Sequence, residues 1–350
     1  MHSLAPAALR GLTFSADQVA SLTTLGEARG KQELFTRQAP EALESMRQVA
    51  VIESSESSNR IEGITVPRDR VEALVLRPTE PRDRSEQEVA GYRDALALIH
   101  ESHEHMPFSN NVLLQLHGLV YRYQPATGGH WKQTDNNIVE RNPDGSIARV
   151  RFETVPAVQT PQAMDHLVAR YTDAVGPLAV EPMVVVPLAV LDFLCIHPFS
   201  DGNGRVARLV TLLLLYHHGY QVGRYISLER IIEESKETYY EALEASSQGW
   251  HQGEHDPHPW LNYFWGTLIR AHKEFEERVG TLTTGRGSKT EMVRAAVQRR
   301  TAPFAISELQ RDCPGVSRDM VRVVLRDMRD EGLIEARGKG RGAKWHRIHS

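Results

Sequence analysis

Two strongly apolar runs, Met183 to Ile196 and Val206 to Tyr216, stand on either side of a short turn rich in glycine and charge. The second run is apolar around its whole helical circumference, the pattern of a helix buried on every side. The first is broken by Pro187 and Asp192, and Arg205 and Arg208 follow soon after. It is too short and too interrupted to span a bilayer, and reads as a second buried helix. A pair of buried helices joined by a polar turn predicts a mainly helical protein with chemistry at the turn.

The rest of the chain agrees. Apolar residues at helical spacing predict helices over 17–29, 41–60, 71–76, 85–100, 110–123, 162–175, 228–246 and 258–279. In the second of these, Leu43, Met46, Val49, Ala50 and Ile52 share a face, and the stop falls near Glu62-Gly63. Ser85, followed by Glu86 and Glu88, is the expected cap of the next strong helix. Between Thr127 and Pro156 the pattern changes. Gly128-Gly129 breaks the helix, and short β-prone runs flank Asn142-Pro143-Asp144-Gly145, which predicts a hairpin from Lys132 to Phe152.

The chain has 350 residues, enough for two or three units. Its net charge of −4 hides an asymmetry. Residues 281–350 hold 15 basic and 8 acidic side chains, and the remainder holds 26 and 37. A basic end on an acidic body argues for separate modules. A Gly/Thr/Ser linker over Thr281 to Ser288 marks the boundary, which gives an N-terminal helical segment (1–80), a central core (81–280) and a C-terminal module (281–350). The last reads as a winged helix: three helices, then a strand from Gly332 and a basic tip from Arg337 to Gly342. Arg318, Arg322, Arg326 and Arg329 line one face of its third helix. That face suits DNA phosphates, while the interleaved Asp319, Asp327 and Asp330 suit a docking or dimer role. The opening MHSLAPAALRGL lacks the basic start and long apolar core expected of a secretory leader. Cys195 and Cys313, far apart, form no framework, so a reducing, cytoplasmic setting without membrane contact is expected.

The turn itself is His197-Pro198-Phe199-Ser200-Asp201-Gly202-Asn203-Gly204-Arg205-Val206-Ala207-Arg208. Gly202 and Gly204 let the backbone turn tightly and approach a ligand. The loop feeds a helix start, whose free N–H groups attract an anion. Arg205 and Arg208, three apart, share a helix face and point to phosphate, with Asn203 able to donate to it. Asp201 is a hard ligand for Mg²⁺ or Mn²⁺. His197 suits a general base for an attacking hydroxyl. Together these describe nucleotidyl or phosphoryl transfer from a nucleotide.

The same segment carries HPFx[DE]GNGRxxR, the signature of the Fic (Fic/Doc-like) family, at every fixed position. Nine fixed residues make chance agreement about 10⁻¹¹ per position, so the chain resembles that family over roughly residues 40–270. The resemblance implies a Fic helical core with the hairpin as its flap. It implies a protein adenylyltransferase, moving AMP from ATP to a Ser, Thr or Tyr hydroxyl of a protein, itself included, and releasing pyrophosphate. His197 is then the base, and Asp201 holds the divalent ion against the α- and β-phosphates. Gly202, Asn203 and Gly204 cradle phosphate oxygens, and Arg205 and Arg208 hold the β- and γ-phosphates. Phe199 is a buried anchor.

Ser58-Asn59-Arg60-Ile61-Glu62-Gly63 fits [ST]xxxE[GN], the inhibitory-helix pattern of self-restrained relatives. Ser58 and Glu62 are i,i+4 partners, and the resemblance implies that Glu62 pairs with Arg208 and displaces the γ-phosphate. The flap offers a strand edge to a target segment. The family's GxxR-like stretch is here Gly129-His130-Trp131-Lys132, with Lys for Arg. The resemblance implies that Tyr240 stacks on adenine, and Ser247 stands where relatives often carry Asn. His251, His255 and His258 lack a zinc spacing and read as a solvated loop, and Cys195 reads as a buried thiol. Three alternatives stay open: removal of AMP from a modified protein, use of another nucleotide or transfer of phosphate, and a DNA-binding regulator whose core senses nucleotide. Family members often form dimers, so a homodimer is a further expectation.

Overall fold

Pro187 does not break the first apolar helix, Pro182–Ile196, because its lost hydrogen bond is replaced. A proline nitrogen cannot donate to the carbonyl four residues back. The Met183 carbonyl accepts instead from Trp265 Nε1 at 2.7 Å, and the Pro187 carbonyl accepts from Trp260 Nε1 at 2.7 Å. Asp192 is buried in the same helix, and its Oδ1 accepts from Trp250 Nε1 at 2.7 Å and from Ser3. Every residue from Met183 to Ile196 is buried. The second apolar helix, Asn203–His217, is buried over most of its length as well.

The structure, a computed structural model, describes residues 3–38, 40–77, 79–124, 126–142, 144–283, 288–298, 300, 303–313, 316–337 and 344–347. Helices dominate, and two small antiparallel sheets of two strands each complete the fold. Helices Ala16–Gln38, Pro40–Ile61, Arg84–Ser102, Asn110–Val120, Thr160–Val175 and His258–Thr283 surround the central pair. Among the described residues no helix is long and apolar enough to cross a membrane.

The helix Pro40–Ile61 ends as its sequence predicts, with Gly63 in the left-handed region at φ +81° and the Ile64 N–H returning to the Asn59 carbonyl. Three expectations are corrected. Asp83, not Ser85, caps helix Arg84–Ser102, its side chain accepting from the Glu86 N–H. The helix expected over 228–246 is two, Leu228–Glu234 and Lys236–Ser247, broken at Ser235. The last core helix runs to Thr283, into the expected linker, whose residues 284–287 lie outside the described residues.

The hairpin pairs Ile138–Arg141 with Ile147–Phe152, in the register Ile138↔Phe152 and Val139↔Val150. Near the C-terminus, helices Ser288–Gln298, Ile306–Asp312 and Arg318–Asp330 and the paired strands Ile334–Arg337 and Lys344–Arg347 enclose a core of their own, including Val293, Leu309, Val321, Leu325 and Trp345. The basic tip expected there falls largely on 338–343, outside the described residues.

Candidate active site

The loop between the two buried helices is held from inside. His197 ends the first helix in the left-handed conformation, φ 53° and ψ 60°, a backbone that costs a non-glycine residue about 1 kcal/mol. Phe199 is fully buried, stacked on His117 (centroids 3.8 Å apart, planes 11°) and on Trp131 at 5.2 Å. Asn203 brackets it: the Asn203 Oδ1 accepts from the Phe199 N–H at 2.9 Å, and its Nδ2 donates to the Phe199 carbonyl at 2.7 Å. These two bonds close the loop. Gly202 is left-handed, φ +79°, and a Cβ there would press on the Tyr121 ring at 2.9 Å.

Arg205 and Arg208 leave their helix toward different partners. Arg205, fully buried, donates to Glu88 Oε2 at 2.5 Å, to the Tyr121 hydroxyl at 2.6 Å and to Asn59 Oδ1 at 3.4 Å. Three side chains from other segments therefore hold it. Arg208 meets the same helix that carries Asn59, and the residue just after its end. Its Nε donates to Ser58 Oγ at 2.9 Å, and its Nη2 donates to the Ser58 carbonyl and to Glu62 Oε1, both at 2.8 Å. Burial opposes the Arg208 charge, but Glu62 outweighs it and the pKa rises. Arg208 Nη1 is buried with no partner. Glu62 lies against the helix start itself: a Cβ on Gly204 would stand 2.3 Å from Glu62 Oε1. A carboxylate thus sits at the anion-attracting end of the helix.

These groups open on one pocket of about 280 Å³, lined by Glu62, His197, Gly204, Arg208, Tyr239 and Tyr240 among others. Leu191, Leu194, Cys195 and Leu243 make its floor apolar, and Ser247 and the flap residues Ile138 and Phe152 complete the wall. The Cys195 thiol is buried, as expected, and burial pushes its pKa up. His197 is half-buried, and its Nδ1 meets the Leu194 carbonyl at 3.3 Å. A carbonyl only accepts, so the proton sits on Nδ1 and Nε2 keeps its lone pair. Burial first, and the Lys132 charge second, lower the His197 pKa to about 4, so the ring is neutral near pH 7.

Asp201 lies at the loop's outer edge, mostly exposed, its Oδ1 accepting from the Gly202 N–H at 2.7 Å. Burial works against its charge, yet the Tyr121 hydroxyl and Arg205 hold its carboxyl below the usual range. No group of three or more His, Cys, Asp or Glu side chains set to hold a metal ion occurs among the described residues. A lone ionised carboxylate fits Mg²⁺ or Mn²⁺ only where phosphate oxygens and water supply the other ligands. His251 and His255 join other networks: His251 stacks on Phe152, and His255 Nε2 meets Ser3 Oγ at 2.8 Å.

Several residues that sequence reasoning missed support the loop. His117 accepts from the Gly129 N–H through Nδ1 at 3.0 Å, so its protonated Nε2 faces the Asp201 carbonyl at 3.1 Å. Lys132 is buried; its Nζ donates to Thr154 Oγ1 at 2.9 Å and the Ile196 carbonyl at 3.2 Å, and burial lowers its pKa to about 8. Glu244 ties the flap down, pairing with Arg149 at 3.0 Å and with Arg151. Glycine pairs and a lysine in a hairpin give little warning of this, because each partner comes from a distant segment.

The family model for the Fic/DOC family matches residues 107–215, which include the loop. Among curated proteins, the chain is 28% identical over 142 residues to protein adenylyltransferase Fic of Culex quinquefasciatus, covering 39% of this chain and 24% of that one. It is 25% identical over 137 residues to protein adenylyltransferase fic-1 of Caenorhabditis briggsae, covering 37% and 24%. The match thus spans about a quarter of the length of these relatives. Among solved structures, a Fic family protein from Desulfovibrio desulfuricans superposes with a TM-score of 0.63 at 20% identity, covering 97% of this chain and 98% of that one. A Fic-1 fragment from C. elegans superposes at 0.61 and 20% identity, covering 77% and 74%. At such identities the likeness is one of fold.

Proposed function

We propose, from the premise that this chain belongs to the Fic/DOC family, that it is a protein adenylyltransferase that transfers AMP from ATP to a Ser, Thr or Tyr hydroxyl and is restrained by Glu62. The observation that carries this reading is the shared pocket. It joins a neutral histidine, a helix start with a buried arginine, and an aromatic pair, with Glu62 lying across the anion end.

The triphosphate lies along the helix start, with Gly202 and Gly204 leaving the backbone open to it. Arg208, through Nη1, takes a terminal phosphate oxygen once Glu62 yields. Arg205 is a positioning residue, fixing the helix start through Glu88 and Tyr121. His197 Nε2 takes the proton from the attacking hydroxyl; the new oxygen–phosphorus bond forms at the α-phosphorus, the bond to the β-phosphate breaks, and pyrophosphate leaves. Asp201 is the residue that would hold Mg²⁺ or Mn²⁺, whose charge offsets that of the phosphates. Tyr240 flanks the base, and the flap edge presents the target segment.

Intact-mass analysis of the chain and candidate targets, incubated with each nucleoside triphosphate and Mg²⁺, tests this. The reading expects addition of AMP with ATP and none in His197→Ala; retained addition in that variant contradicts the base assignment. A second reading, removal of AMP from a modified protein, draws support from Glu62 sharing the pocket with His197, where its carboxylate can orient a water. Release of AMP from a modified target, lost in Glu62→Gly, distinguishes it.

We further propose the division into 1–80, 81–280 and 281–350 as working modules, with the last a winged helix. Its third helix supports a DNA role through Arg318 and Arg326, since Arg322 and Arg329 pair locally with Asp319 and Asp330. Retardation of duplex DNA that weakens with salt is expected; none at low salt points to docking.

A further inference from the structure

Arginines at the core are paired with acids: Arg205 with Glu88, Arg208 with Glu62, and Arg230 with Glu53 and Glu274. A second group, of exposed Arg29 and half-buried Arg47 and Arg224, lines a groove at the surface. A polar groove of about 820 Å³ is lined by Arg29, Arg47 and Arg224, with Gln32, His218 and Gln221 around them, and no carboxylate is among its described lining residues. Arg224 donates only to neutral acceptors, the His100 carbonyl at 2.6 Å, His103 Nδ1 at 3.0 Å and Gln221 Oε1. Arg29 lies over the Tyr220 ring at 5.4 Å and reaches the His218 carbonyl at 3.4 Å. Arg47 makes no hydrogen bond or ion pair among the described residues.

The described acids nearby lie outside the lining. Glu104 acts on Arg224, and Glu44 on Tyr225, from outside the lining, and neither bonds to the three arginines. His218 is held neutral by burial, its Nε2 meeting the Tyr171 hydroxyl. Three guanidinium groups that line one groove, with no carboxylate among its described lining residues, repel one another, and a multiply charged oxyanion relieves that repulsion while taking several charge-assisted hydrogen bonds. Gly26, Gly30 and Gly219 keep the walls low beside them.

We propose that this groove is a second binding site, for a small phosphate-bearing anion of the pyrophosphate or organic diphosphate class, held by Arg29, Arg47 and Arg224. It is separate from the nucleotide pocket. Arg47 precedes Ser58 by about 16 Å along the same helix, and the turn bearing Gln221 and Arg224 follows the helix that bears Arg208. A ligand there bridges the far ends of the two helices that meet at Glu62 and Arg208.

Calorimetric titration of the full chain with inorganic pyrophosphate, without metal and at low salt, tests this independently of the transferase reading. Arg47→Glu and the milder Arg47→Gln are both expected to leave the fold intact, since Arg47 bonds nothing among the described residues. The expected result is binding by the parent chain, weakened at least tenfold in Arg47→Glu, weakened less in Arg47→Gln, and unchanged in Arg208→Ala. No heat up to millimolar pyrophosphate overturns the proposal. So does binding that survives Arg47→Glu and disappears in Arg208→Ala, which assigns it to the nucleotide pocket.

Discussion

Glu62 reaches Arg208 across 146 residues of sequence, its Oε1 accepting from Arg208 Nη2 at 2.8 Å. The contact rests on an unusual support. The helix face leading to it, Ser54, Ser55, Ser57, Ser58 and Asn59, is polar and almost wholly buried. Ser54 donates to the buried Glu229 at 2.7 Å, Asn59 accepts from Arg205, and Ser58 holds Arg208 by side chain and backbone. Undocking this helix strands many buried polar groups, so relief of the restraint is expected to come from movement of the Glu62 side chain, which is partly exposed.

Gly204→Ala tests how close the carboxylate lies. The new Cβ would stand 2.3 Å from Glu62 Oε1 and 3.2 Å from Arg208 Nη1. The variant is expected to fold, because the end of the Glu62 side chain can withdraw, but its Cβ then occupies the proposed phosphate cradle. Calorimetry is expected to show loss of ATP binding that Glu62→Gly does not restore. Parent-like affinity in Gly204→Ala contradicts the placement of the triphosphate at this helix start.

Glu88→Ala leaves Arg205 buried without its counter-charge. Breaking a buried pair from one side costs about 3–5 kcal/mol, and Tyr121 and Asn59 recover only part of it. Denaturant unfolding is expected to show a loss near the lower end of that range. A cost below about 1 kcal/mol, ordinary for an exposed pair, contradicts the structural role given to Arg205.

The histidines set a pH dependence of stability. Burial lowers His117, His197 and His272 to about 4 and His100 to about 3. In the unfolded chain they take up protons near pH 6.5. The unfolded state therefore binds more protons between those values, and stability rises with pH there. It is complete above about pH 6.5 and falls toward pH 4, on the order of 1 kcal/mol per pH unit for each histidine. Urea midpoints that stay level from pH 7 to 5 contradict this.

Lys132→Met bears on the base. The Lys132 ammonium disfavours a second positive charge on His197. Without it the His197 pKa rises, and the acid limb of the pH–rate profile moves to higher pH. A lower plateau with an unmoved limb would make Lys132 a purely structural anchor.

The loop was legible in the sequence because its chemistry is contiguous: His197, Gly202 and Arg208 need no distant partner to declare themselves. Glu62 was legible through its spacing from Ser58. The partners of Asn203 and Arg205 were not legible because they are remote. Asn203 turns back onto Phe199, and Arg205 is claimed by Glu88 and Tyr121 from two other helices. Pro187 looked like an interruption because nothing local announces that Trp265, far along the chain, takes up the freed carbonyl. The burial of Lys132 was hidden for the same reason, since Thr154 and the Ile196 carbonyl reach it only in the folded chain.

The central claim, a transferase site restrained by Glu62, is tested most directly by intact-mass analysis of Glu62→Gly with ATP and Mg²⁺, beside the parent chain and the double variant Glu62→Gly/His197→Ala. The account predicts addition of AMP in Glu62→Gly well above the parent, and none in the double variant. Equal addition by parent and Glu62→Gly, or addition that persists without His197, would contradict it.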